Sequence, residues 1–125
     1  MSVKILLLDD SSIAVWWATR SECVSAFARL LREASLSSTD EKNAREVLET
    51  LAKSWVEIRP TEPVRRTAER LLAVHALRAA DAFQLAAALH WCQTETREMS
   101  FISFDTRLRE AAYKEGFTVL PAEVL

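Results

Sequence analysis

The chain has 125 residues, half of them hydrophobic, with one glycine and three prolines. That length suits a single domain with one core, and so little turn chemistry argues against an all-β fold. A formal charge of −2 supplies no overall positive field of the kind a sequence-independent DNA binder uses, although it does not exclude a nuclease whose metal ions carry the positive charge.

Of the sixteen basic residues twelve are arginine, the better side chain for gripping phosphate in bidentate fashion. Cys23 and Cys92 lie in apolar helical patterns and form no CxxC pair, so neither a disulfide framework nor a zinc site is expected. The run Ile5-Leu6-Leu7-Leu8 is too short for a signal peptide and acidic residues follow it at once. A cytoplasmic protein without a membrane segment is the expectation, and residues 1–125 read as one domain.

Taken in order, Ile13 to Ala18 is an apolar run rich in β-formers, expected as a buried strand. Thr19 opens a helix with Cys23, Ala26, Phe27, Leu30 and Leu31 on one stripe. A second helix is expected from about Thr39 through Leu48 and Leu51 to Ser54, its charges forming a solvated face. Trp55 to Ile58 reads as a strand ended by Pro60. Thr61 caps a third helix, with Val64, Ala68, Leu71 and Leu72 facing inward.

The segment from about Arg78 to Thr94 is apolar nearly all round, the pattern of a helix buried in the middle of a fold. Met99 to Phe104 is a strand, Thr106 to Glu115 a helix stopped by Gly116, and Phe117 to Leu120 a last strand. Strands alternating with helices imply a mostly parallel sheet between helical layers, a three-layer α/β/α architecture.

Three carboxylates stand out by position. Glu22 lies one turn into the first helix, Asp81 in the first turn of the apolar helix, and Asp105 at the junction of a strand and a helix. In open α/β sheets such junctions gather at the carboxyl edge of the strands, where sites form. Carboxylates meeting there could share Mg²⁺ or Mn²⁺, hard cations able to activate water and steady a leaving oxygen in phosphodiester hydrolysis. Plainer roles compete. Thr19-Arg20-Ser21-Glu22 fits a capping box, Asp105 suits an N-cap, and Asp81 could pair with Arg78. Trp16 and Trp17 could stack bases, but adjacent tryptophans in a buried strand more often pack a core. His75 and His90 belong to no ligand spacing, and no glycine-rich phosphate loop is present.

The segment from Leu77 to Leu89, LRAADAFQLAAAL, resembles the LRAADALQLAAAL signature of PIN-domain toxins of the VapC type. Phe101 to Ala112 is similar to that family's F-x-x-x-D-x-R-L-x-x-A-A segment, and Thr19 to Ala26 to the helix bearing its second acidic residue. The resemblance runs from about Ile13 to Pro121. It implies a PIN-like fold and a metal-dependent endoribonuclease, with Glu22, Asp81 and Asp105 as catalytic and metal-site carboxylates. It further implies RNA contacts near Thr19, Ser103 and Arg107, a homodimer, and a VapB-type antitoxin partner.

The N-terminus departs from the family, which begins with a central strand ending in an acidic residue and then spends two helices before its second strand. Asp10-Ser11-Ser12 matches the acidic motif superficially, yet Glu22 follows only twelve residues later. Two registers are open. Either Asp10 is the leading aspartate, a fourth metal ligand, with the helices deleted, or residues 1–12 end a helix and the usual first strand is missing. The second register is favoured. A chain lacking that ligand would be a catalytically impaired PIN module serving dimerisation or antitoxin binding.

Overall fold

The computed structural model describes residues 5–7 and 13–122. These residues form a mixed α/β fold, with helices following strands as the alternation of patterns requires. The elements are β1 (Ile5–Leu7), β2 (Ile13–Trp16), α1 (Thr19–Arg32), α2 (Ser38–Ala52), β3 (Val56–Ile58), α3 (Glu62–Val74), α4 (Ala79–Trp91), β4 (Ser100–Ile102), α5 (Thr106–Lys114) and β5 (Thr118–Leu120).

The sheet order is β3-β2-β1-β4-β5. The pairs β2–β3 and β4–β5 are parallel and are joined through β1, which is antiparallel to both β2 and β4. Four of the five described strands therefore point the same way. The favoured reading of residues 1–12 as a helix end with the first strand missing is corrected here, because Ile5–Leu7 is a strand and holds the centre of the sheet. The physical reason is the short link. Five residues separate Leu7 from Ile13, enough for a hairpin-like return but too few for a parallel crossover of about a dozen residues. Leu7 pairs with Ile13 and with Ser100, the first residues of β2 and β4.

The main apolar cluster joins Ala14 and Trp16 of β2 to the buried faces of α3, α4 and α5. In α4, Ala82, Leu85, Ala86, Ala87, Ala88 and Leu89 are all buried, as an apolar circumference demands. Small alanines let neighbouring backbones approach closely, and Phe83 stacks on Trp16 with ring centroids 5.3 Å apart. Val15 points to the opposite face from Ala14 and Trp16 and is also buried, so both faces of β2 are covered. A smaller cluster of Cys23, Phe27 and Leu48 holds α1 to α2, with an Arg20–Glu49 ion pair across the same helices. Burial pushes the Cys23 thiol up, with the Glu22 charge adding to it, and burial likewise raises Cys92. Both cysteines are free.

The inward stripes end sooner than the spacing suggests. Leu31, Leu51 and Leu72, each near its helix's C-terminal end, are exposed. Gly116 terminates α5 with φ of 102°, while Gly116 N–H bonds to Tyr113 O and Phe117 N–H to Ala112 O. This is the paired-bond termination that needs a left-handed residue. A Cβ at Gly116 would lie 2.2 Å from Thr96 Oγ1, so the position is closed to any side chain. No helix of the described residues is long and apolar enough to cross a membrane.

Beyond the end of α3, His75 Nε2 lies 2.7 Å from Glu115 Oε2, and Arg70 Nη2 donates to Glu115 Oε1 at 3.4 Å. Burial pushes the Glu115 carboxyl up, but the hydrogen bonds and charges of His75 and Arg70 outweigh it and leave it below its ordinary 4.5. A depressed carboxyl contributes stability above its unfolded value, and that contribution disappears as pH falls through the folded one. Unfolding free energy from urea titrations should therefore decline as pH is lowered through and below 4.5. His75→Ala should make that decline shallower.

Replacing Ala87 with tryptophan tests the placement of α4. The site is 1% exposed, so overpacking should cost about 1–3 kcal/mol or more in chemical denaturation. Unaltered stability would mean that α4 is not enclosed.

Candidate functional site

With four strands codirectional, the chain leaves β2 and β4 at one edge of the sheet, and there α1 and α5 begin. The N-terminus of α4 comes to the same place. One cleft of about 870 Å³ is lined there by Glu22, Asp81 and Asp105, together with Arg29, Arg78 and Arg107. Three separate elements thus bring the three carboxylates singled out by position to one concavity. Three arginines interleave them, so the charged lining is balanced.

Each carboxylate sits at the start of a helix, where the helix dipole favours negative charge. Asp105 is the N-cap of α5, its Oδ1 accepting from Leu108 N at 2.9 Å, as expected. The turn beneath it is braced by Ser103, whose Oγ accepts from Asp105 N at 3.1 Å and whose carbonyl accepts from Arg109 at 2.8 Å. Asp81 is 7% exposed, yet still borders the cleft.

Glu22 behaves differently from the capping-box expectation. The N-cap of α1 is Ala18, without a side-chain cap, and Thr19 is buried inside the first turn. Glu22 Oε1 instead accepts from Gln84 Nε2 at 2.9 Å, and Thr19 Oγ1 donates to Gln84 Oε1 at 3.4 Å. The helix begins one residue earlier than a Thr19 cap requires, which turns the threonine inward. Gln84, three residues after Asp81 on α4, lies on the same side of that helix as Asp81. It is the residue that sequence reasoning missed. The available signal was an amide on an otherwise apolar helix, which needs a buried partner as much as Asp81 does.

Of the other sequence-derived residues, Arg107 lines the cleft. Thr19 and Ser103 are buried and outside the lining; Thr19 bonds to Gln84 of α4, and Ser103 braces its own turn. Asp10 lies outside the described residues. Of the adjacent tryptophans Trp16 is core, while Trp17 is half exposed, a correction to the expectation that both pack inward.

A shared Mg²⁺ or Mn²⁺ would need carboxylate oxygens converging on one point. Among the described residues no group of three or more His, Cys, Asp or Glu side chains is placed to hold a metal ion. One oxygen of Glu22 is taken by Gln84 and one of Asp105 by the α5 cap. Glu22, Asp81 and Asp105 share a cleft but, as arranged here, do not fit a three-carboxylate metal centre.

Comparison of the chain with protein-family models, with curated proteins and with solved structures finds no match.

The Thr19–Gln84–Glu22 chain can be tested directly. Gln84→Leu should lower stability by about 1–3 kcal/mol, because it strips buried polar groups of their partner. Thr19→Val in that background should cost less than it does alone, which a double-mutant cycle in urea would read as coupling. Strict additivity would mean that the two side chains do not interact.

Proposed function

We propose that this chain is a ribonuclease of the PIN, VapC-toxin type, hydrolysing RNA phosphodiester bonds at the Glu22–Asp81–Asp105 cleft with the Mg²⁺ or Mn²⁺ that the class requires. The observation that carries this reading is the meeting of the three motif carboxylates, from α1, α4 and the β4–α5 turn, in one cleft. Arg29, Arg78 and Arg107 beside them suit a substrate built of phosphates, since guanidinium groups bind phosphate in bidentate fashion. A carboxylate near a bound phosphodiester can take a proton from water. A homodimer and a VapB-type antitoxin as partner belong to the same reading.

A second reading is favoured by two specific observations. Among the described residues no group of three or more His, Cys, Asp or Glu side chains is placed to hold a metal ion. Leu7, the end of β1, lies at the start of β2 and β4 rather than at the carboxylate edge. Under this reading the chain is a catalytically impaired PIN module that serves dimerisation or antitoxin binding.

Purified wild-type chain incubated with a mixed RNA pool and Mn²⁺ should cleave it, and Asp81→Asn should abolish cleavage while unfolding cooperatively like the wild type. Cleavage unchanged in the variant would sink the site assignment. A folded wild-type chain inert at every Mn²⁺ concentration would select the second reading.

A further inference from the structure

Gln84 of α4 is 5% exposed and lies outside the cleft lining, so it is no part of the surface a bound molecule meets. Both ends of its amide are nevertheless used. Nε2 donates to Glu22 Oε1 at 2.9 Å, and Oε1 accepts from Thr19 Oγ1 at 3.4 Å. Thr19, the second anchor, is 2% exposed. Glu22 does line the cleft, and among the described residues its other oxygen, Oε2, makes no hydrogen bond or ion pair.

The chemistry of the three groups allows one arrangement. A carboxylate only accepts, so the amide must turn its NH2 towards Glu22 and its carbonyl oxygen away. A threonine hydroxyl can donate or accept, and it meets that oxygen as a donor. A half-turn of the amide would set oxygen against carboxylate and lose the bond. Because α4 is packed against β2, α3 and α5, the amide has little freedom to drift with its helix. Glu22 is thus held from a fixed point, with one oxygen committed to the protein and one left for the cleft.

We propose that Gln84 is a positioning residue for the reaction in the cleft, orienting Glu22 without touching substrate, and that Thr19 fixes the amide that does so. The inference rests on the ribonuclease reading and adds to it how one of the three carboxylates is set. A carboxylate that takes a proton must stand within about 2.6–3.2 Å of the group that gives it. Misplacement by about 1 Å costs on the order of a hundredfold in rate. The guanidinium groups of Arg29, Arg78 and Arg107 are separate from this chain of bonds, so loss of the amide should fall on kcat and leave KM little changed. A bond that merely tied α1 to α4 would cost stability and leave the kcat of the folded chain as it was.

Two measurements test this. The first is kcat and KM for Mn²⁺-dependent cleavage of one RNA oligonucleotide, at a temperature where thermal unfolding shows every variant folded. Gln84→Met, which keeps the length and removes both polar ends, should lose about ten- to a hundredfold in kcat. Thr19→Val should lose less, and Thr19→Ser should recover most of that loss. Leu85→Val is the control, because it trims the core at a 0% exposed site on α4 and leaves the Gln84 amide in place. It should destabilise the chain with kcat unchanged. If Gln84→Met does not fold, Thr19→Val against Thr19→Ser carries the kinetic test. The second measurement is the NMR signal of the Gln84 side-chain amide, identified by its loss in Gln84→Met, which Glu22→Ala should shift. An amide signal that ignores Glu22→Ala overturns the proposal, as does an equal fall of kcat in Leu85→Val. Cleavage by the wild type with undiminished kcat in Gln84→Met overturns it alone and leaves the ribonuclease reading standing. A wild-type chain that never cleaves removes both.

Discussion

A helix without a polar face has to be surrounded, and the geometry of the cleft depends on that constraint acting on α4. Its buried residues pack against β2, α3 and α5 within one cluster. Close packing leaves such a helix little freedom to slide or rotate. Asp81 and Gln84 are consequently fixed relative to the sheet edge. Gln84 passes the constraint to α1 through Glu22 and Thr19. The carboxylate on α5 is fixed separately, by the cap of its own helix and the braced Ser103 turn. The cleft is built by packing on one side and by local hydrogen bonding on the other.

Most of the element order was legible in the sequence because its signals are local. The circumference of α4, the Asp105 cap and the Gly116 stop each need only a few neighbouring residues to act, and all three stand in the structure. What local patterns do not carry is how much of a stripe its neighbours cover. Leu31 and Leu72 continue their stripes, yet both are exposed. The capping-box pattern at Thr19 was equally local and failed, because a buried amide sixty-five residues away offered Thr19 a partner. Glu22 was picked out by its position after a strand, while the residue orienting it was visible only across the fold.

The two adjacent tryptophans show the same division. A strand alternates its side chains, so two neighbours face opposite sides of the sheet. Trp16 meets Phe83, and Trp17 falls where the strand gives way to the turn and remains half in water. Composition could not say which ring would be exposed. The strand's end decided it.

The direction of β1 governs what the N-terminal strand can contribute. A parallel β1 would end at the edge where Glu22, Asp81 and Asp105 gather, but the five-residue link to β2 forces a reversal, and Leu7 ends beside Ile13 and Ser100. The strand fills the centre of the sheet without carrying its C-terminal end to the cleft. The charge balance of the cleft fits this arrangement. Three carboxylates crowded around a cavity repel one another unless cations lie among them. Arg29, Arg78 and Arg107 supply those cations from the chain itself. The described cleft thus carries three carboxylates and three guanidinium groups, and the charges of its lining balance within the chain.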